Sequence, residues 1–222
     1  MQISSLKRQA KDSLDGFWFR TIGIGILGSI IQFIVQSCLS VLAGTVTNEG
    51  VIFNPDKLDL ASSIIVIIFS ALFNMVMSYG MTVYYIRLTR NEDPGVKELF
   101  YYFTSGRKSI KVIITQILVA IFTCLWGLLL IVPGIIKGFS YMLTPYIIYD
   151  DPKLRPLEAI TLSRKMMDGY KWKAFLIALS FIGWFILVVF TLGLAALFVS
   201  PYLTTTYAEF YNEVKNAYEN KE

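Results

Sequence analysis

Two stretches of this chain, Thr21 to Ala43 and Leu60 to Ile86, contain no Lys, Arg, Asp or Glu. Each is long enough for a helix to cross a hydrocarbon core of ~30 Å, which takes about 20 mostly apolar residues. Two further apolar stretches, Val112 to Tyr149 and Ala174 to Tyr211, are too long for one crossing and suit two. Each has a breaker near its middle, Pro133-Gly134 in the first and Thr191-Leu192-Gly193 in the second, where the chain is expected to make a tight outer turn. The pattern predicts an all-α polytopic membrane protein, a single integral membrane domain with six transmembrane helices in three hairpins: 21–86, 112–149 and 174–211. The polar segments 1–20, 87–111 and 150–173 and the tail 212–222 then share one side of the bilayer. The outer turns at VPGI and FTLGL hold almost nothing polar, so either later hairpin is also readable as dipping into the bilayer without crossing it.

Within the polar segments the apolar residues recur at helical spacing. They are Leu6, Ala10 and Leu14; Val96, Leu99, Phe100 and Phe103; and Ala159, Leu162 and Met166. Spacings of three and four place each set on one helical face. A short amphipathic helix with basic neighbours is expected to lie flat in the headgroup layer. Each is followed by a glycine (Gly16, Gly106, Gly169) and then by basic residues, among them Arg20, Arg107 and Lys171. A glycine there lets the chain turn from lying on the membrane to entering it. The three copies read either as an imperfect three-fold repeat or as convergence of any chain that re-enters a membrane from its basic side.

Charge orients the pattern. Eighteen of the 20 Lys and Arg residues fall in the segments assigned to one side, and such an excess marks the cytoplasmic face. Lys57 stands in the opposite loop, where Glu49, Asp56 and Asp59 outnumber it. Both termini are therefore expected in the cytoplasm, with the chain multi-pass in the membrane. The first twenty residues lack the short apolar core and cleavage site of a signal peptide, so the first helix is expected to be retained. A net charge of +4 raises the question of nucleic acid, but the basic residues flank membrane spans, and anionic lipid headgroups are the nearer partner. Cys38 and Cys124 both lie within apolar spans, which supports no disulfide framework.

Polar residues inside the spans are the candidate chemistry. Ser29, Gln32, Gln36 and Ser40 form a stripe on the first helix, and Ser70, Asn74, Ser78 and Thr82 form one on the second. Facing stripes either hydrogen-bond the helices together or line a watery path. Lys137 is the one basic residue inside a span, a ligand or pathway candidate whose stem also lets it snorkel to the outer headgroups. Pro145 and Pro201 are expected to kink the fourth and sixth helices. The chain has no histidine, which removes most metal sites and the usual general base. Tyr149-Asp150 matches half of an intramembrane aspartyl protease pair, but no later span supplies a second aspartate. Asp150 and Asp151 read as interfacial caps. Neither an enzyme, a metal nor a cofactor is expected.

The stretches LLLIVPGIIKGFSYMLTPYIIYDDP, EAITLSRKMMDGYKWKAF, LSFIGWFIL and TLGLAALFVSPY, in that order, together with LKRQAKDSL near the start, resemble a family of bacterial integral membrane proteins of unknown function, domain of unknown function nine hundred and seventy-five. The resemblance implies Pro133, Gly134, Lys137, Pro145, Glu158, Ser163, Gly169, Lys171, Gly193 and Pro201 as signature positions, and it implies no activity. Gly169 with Lys171 reads as setting the angle at which the third hairpin enters the membrane. Glu158, Ser163, Arg164 and Lys165 share one helix and, with Lys171, read either as the contact for a partner or lipid headgroup or as a charged face that is simply solvated. Two functions remain. One is a non-enzymatic protein that binds a lipid, an amphiphile or another membrane protein as an accessory or protective factor. The other is a small transporter or channel built on the polar stripes and the kinked fourth and sixth helices.

Overall fold

Runs of Ile, Leu, Val and Phe without an internal proline satisfy their own backbone as helices, and the first two apolar runs fold as α2 (Trp18–Leu42) and α3 (Leu60–Thr89). The computed structural model describes residues 2–42 and 60–220; the acidic segment with Glu49, Asp56, Lys57 and Asp59, and the side chain of Ser40, lie outside them. Before α2 stands α1 (Ile3–Leu14), and after α3 a 3-10 segment, Val96–Phe100. The next apolar stretch forms α4 (Gly106–Leu129), α5 (Ile131–Tyr141) and α6 (Thr144–Asp150). There follow α7 (Pro156–Met166), α8 (Lys171–Ser180), α9 (Ile182–Phe190) and α10 (Ala196–Glu219). No strand occurs among the described residues.

Five stretches among those residues are long and apolar enough to cross a membrane: Trp18–Leu39, Ile64–Thr89, Gly106–Leu129, Ile131–Asp150 and Lys171–Phe190. The sixth expected crossing falls in α10, outside this set, where Thr204, Thr205, Thr206, Glu209 and Asn212 dilute the apolar run.

The second hairpin turns one step earlier than its proline suggests. Leu130 alone is extended (φ −161°, ψ 139°), and Pro133 and Gly134 sit in the first turn of α5. Proline is tolerated there because a first-turn N–H has no partner within the helix. Gly134 serves a different end: a Cβ on it would stand 2.7 Å from the Cα of Gly127, so the two glycines let α4 and α5 touch backbone to backbone. The third hairpin does turn at its glycine, with Leu192 at φ 50° and Gly193 at φ 93°. Gly16 and Gly169, after α1 and α7, also have positive φ, as a sharp change of direction requires. Gly106 opens α4 without one. Pro145 stands at the start of α6, where the chain breaks from α5, whereas Pro201 lies inside the continuous α10.

Two of the three amphipathic segments, α1 and α7, turn their apolar faces to protein rather than to a headgroup layer. Leu6, Ala10 and Leu14 are fully buried, and α1 lies along α10, where Ser13 donates to Glu209 Oε1 at 2.7 Å. Ala159, Ser163 and Met166 are likewise buried, with α7 seated on α4, α5 and α6. An amphipathic stripe meets an apolar protein surface as readily as lipid, and here the protein offers the surface. Of the apolar face expected around the 3-10 segment, only Leu99 is buried, while Val96, Phe100 and Phe103 stay exposed.

The well-packed core gathers at the end of the bundle that carries the basic segments. Leu6, Leu14, Tyr84, Leu88, Ile148, Phe181, Phe210 and Tyr211 are fully buried there. Away from this core the apolar side chains point outward: Phe190 is 82% exposed and Leu192 95%. Large apolar groups at such exposure suit surroundings of hydrocarbon rather than water.

Candidate functional site

Among the described residues, two grooves of similar size stand out as places for a ligand. The larger is a groove of about 550 Å³ between α2, α3 and α10. Ile22, Ile26, Ile30 and Phe33 line it from α2, Met81 and Tyr85 from α3, and Leu197 and Pro201 from α10. Its polar groups are few: Ser29 and Ser200 line it, and Ser29 Oγ already donates to the carbonyl of Gly25 at 3.0 Å. Gly25 also lines the groove, and a Cβ built there meets no atom within 4 Å.

The second is a cavity of about 530 Å³ between α6, α7 and α10, lined by Asp150, Asp151, Lys165, Tyr211, Lys215 and Tyr218 among others. Asp150 anchors it. Arg90 grips its carboxylate with both terminal guanidinium nitrogens, each at 2.7 Å. Tyr211 OH donates to Oδ2 at 2.8 Å and Lys215 Nζ at 2.6 Å. One carboxylate thus ties the end of α3, the end of α6 and the middle of α10. Asp150 is therefore an ion-pair hub rather than an interfacial cap. Beside it Arg87 donates to Tyr149 OH at 2.7 Å and to the buried Glu98 at 2.8 Å, and Glu98 also accepts from Gly95 N–H at 2.8 Å. The hydrogen bond to Asp150 outweighs burial and holds the Arg90 guanidinium above its ordinary pKa. Such two-point Arg–carboxylate contacts are strong and fix geometry.

The residues singled out from the sequence do not converge. Asn74 donates to the carbonyl of Ser70, Ser78 to Met75, and Thr82 to Ser78, all on α3's own backbone. Gln32 is half-buried and Gln36 exposed on α2. Of the two stripes only Ser29 reaches the large groove. Lys137 holds its ammonium 4.5 Å from the centre of the Trp126 ring, across the second hairpin, a cation–π contact away from both stripes. On α7, Glu158 accepts from the Arg155 N–H at 2.7 Å and so caps its own helix. Ser163 is fully buried and donates to the Ser140 carbonyl at 2.8 Å, which seats α7 on α5. Arg164 and Lys165 are exposed, and Lys165 lines the polar cavity. Lys171, half-buried, faces Asp168 at 3.8 Å.

One signal was there to be read. Tyr85, Tyr146 and Tyr207 recur at equal intervals along the chain. Tyr146 lies close to both of the others and stacks on Tyr211 at 5.0 Å between ring centroids. The three stand on α3, α6 and α10, at or packed against the core.

Fold and site together define an all-α protein of the membrane type, with a packed polar closure at one end and apolar helices exposed at the other. The chain belongs to the family described as Protein of unknown function (DUF975), whose model matches residues 1–137 and 128–218. No curated protein and no solved structure matches it.

Proposed function

We propose that this is a non-enzymatic, multi-pass protein of the bacterial plasma membrane, with both termini in the cytoplasm, that holds the apolar chain of a lipid or related amphiphile in the groove between α2, α3 and α10. The observation that carries this reading is the groove itself: about 550 Å³, walled by Ile, Leu, Phe and Pro side chains with two serines as its polar groups besides Tyr85. Concave, mostly apolar sites with a few polar groups are the usual form of a small-molecule site. A groove flanked by apolar helix faces opens to hydrocarbon, from which an acyl chain enters without crossing water. The basic segments at one end supply charge for an anionic headgroup and set the orientation. In this reading the six apolar segments form three membrane hairpins related by an approximate three-fold repeat. Each return helix carries its tyrosine, and each amphipathic segment packs on a return helix: the 3-10 segment on α3, α7 on α6, and α1 on α10. An accessory or protective role toward another membrane protein fits the same arrangement.

A Cβ on Gly25 meets no atom within 4 Å, so Gly25→Leu projects its side chain from the groove wall into the space an acyl chain would take. Native mass spectrometry of protein released gently from membranes is expected to show a lipid or amphiphile at fixed stoichiometry on the unaltered chain. On the Gly25→Leu variant, at unchanged melting temperature, that ligand is expected to be lost. Equal retention by the variant, or only exchangeable bulk lipid on both, would overturn the assignment of the groove.

A further inference from the structure

The last hairpin is pinned at an unexpected depth. The stretch Lys171–Phe190 is long enough to cross a membrane, yet its midpoint is where the basic N-terminal helix touches it. Lys7 on α1 donates to the carbonyl of Ser180, the last residue of α8, at 3.0 Å, and its ammonium stands 4.3 Å from the centre of the Phe181 ring. Lys11, one turn on, stands 5.7 Å from the ring of Tyr202 on the return helix. Phe181 and Tyr202 are themselves paired at 5.0 Å. Two lysines of one amphipathic helix therefore mark a single level across both limbs of the hairpin. A lysine ammonium is costly inside hydrocarbon and settles at the headgroup level.

Little chain remains beyond that level. On the outgoing limb it is α9, nine residues, or about 14 Å of helix at 1.5 Å per residue. On the return limb it is Ala196 to Pro201, shorter still. A core of about 30 Å needs twice that. By contrast α3, with 30 residues, spans about 45 Å. A second contact agrees. Phe198, three residues past the turn, lies 6.4 Å from Trp18, the first residue of α2. Arg20, two residues on from Trp18, pairs with Asp93, so this is the charged end of α2. A turn so close to the start of α2 cannot reach the level where α2 ends, about 38 Å along its 25 residues.

The tip itself is built for hydrocarbon. Val189, Phe190, Leu192 and Leu194 surround the turn at 70% exposure or more. The one polar side chain there, Thr191, bends back to the carbonyls of Leu187 and Val188 and accepts from the Ala195 N–H. A turn emerging into water gains nothing from such a surface, and one immersed in acyl chains has its polar groups closed in this way.

We infer that the α9–α10 hairpin is re-entrant: it dips from the basic side into the near leaflet and returns, its partner being the acyl chains of that leaflet. The hairpin adds cross-section to one leaflet and none to the other, so it acts as a wedge. Both limbs still begin and end on the basic side, which leaves the charge asymmetry of the chain intact. This inference is independent of what the α2–α3–α10 groove holds.

The test uses the full chain in lipid vesicles with Cys38 and Cys124 replaced by serine and single cysteines introduced in turn. Glu219→Cys reports the basic side, Asn48→Cys the segment between α2 and α3, and Leu192→Cys the tip. With a membrane-impermeant maleimide, Glu219→Cys and Asn48→Cys are expected to react from opposite sides. Leu192→Cys is expected to react from neither until detergent dissolves the bilayer, and a bimane attached there is expected to be quenched by lipids carrying a nitroxide on the acyl chain. Reaction of Leu192→Cys from the Asn48 side would mean a full crossing, and reaction from the Glu219 side a hairpin lying outside the membrane; either overturns the proposal. Leu194→Cys provides a second tip position should the first variant fold poorly.

Discussion

Asp150→Ala is expected to lower stability by about 2–4 kcal/mol, because breaking a buried ion pair leaves its partners without a counter-charge. The side chain is 9% exposed and holds two cations and a tyrosine hydroxyl at 2.6–2.8 Å. The figure stays below the top of the range for buried pairs because Arg90 and Lys215 keep 31% and 32% of their side-chain surface in contact with the surroundings, where solvent screens them. For a chain of this size it corresponds to a fall in Tm of roughly 5–12 °C, readable from the intrinsic fluorescence of its tryptophans in detergent. The double variant Arg90→Ala with Asp150→Ala is expected to recover part of the loss, since it removes one of the stranded charges; residues in contact couple in this way. A strictly additive pair would show that Arg90 and Asp150 do not share the interaction. Asp150→Asn is expected to fall between, because it still accepts from Arg90 and Tyr211 but no longer neutralises either cation.

The hub was hidden in the sequence for a physical reason. Arg90, Asp150, Tyr211 and Lys215 lie in three separate parts of the chain, and nothing local to Asp150 distinguishes an ion-pair centre from a carboxylate at a helix end. The apolar runs, in contrast, were legible because hydrocarbon imposes a length and a composition on each segment by itself. Helicity and the hairpin at Gly193 followed from local signals. The turn near Pro133 was misplaced because a proline is equally at home just inside a helix as just before it. The polar stripes misled in the same manner: serine, threonine and asparagine in an apolar helix can be satisfied by the carbonyl a turn back, as Asn74, Ser78 and Thr82 are, so periodicity alone did not require a facing partner. The amphipathic faces of α1 and α7 were read correctly as faces, yet periodicity does not say whether lipid or protein covers them.

Gly80→Ala is the second substitution with a large expected effect, and it tests how the 3-10 segment is held. A Cβ on Gly80 would lie 2.0 Å from the carbonyl oxygen of Leu99, 2.7 Å from its carbonyl carbon and 3.0 Å from its Cα. These are backbone atoms, so no side-chain rotation relieves the clash, and either α3 or the whole Val96–Phe100 segment has to move. Moving the segment withdraws the fully buried Leu99 from the core and shifts Glu98 from Arg87, to which it is bonded at 2.8 Å. Overpacking usually costs about 1–3 kcal/mol, and a rigid backbone obstacle places this case at or above the upper end. Gly25→Ala, on the neighbouring helix, adds the same methyl group where nothing lies within 4 Å and is expected to leave the melting temperature within about 1–2 °C, as substitutions without new contacts usually do. In Gly80→Ala the Tm is expected to fall by roughly 5 °C or more, and the amide protons of Gly95 and Glu98, which donate to Glu98 Oε2 and the Gly95 carbonyl, to exchange faster than in the unaltered chain. Faster exchange confined to this segment would show it lifting away from an intact α3. An unchanged Tm and unchanged exchange would mean that the segment does not rest on Gly80, and the link from Arg87 through Glu98 to the polar closure would then need another support.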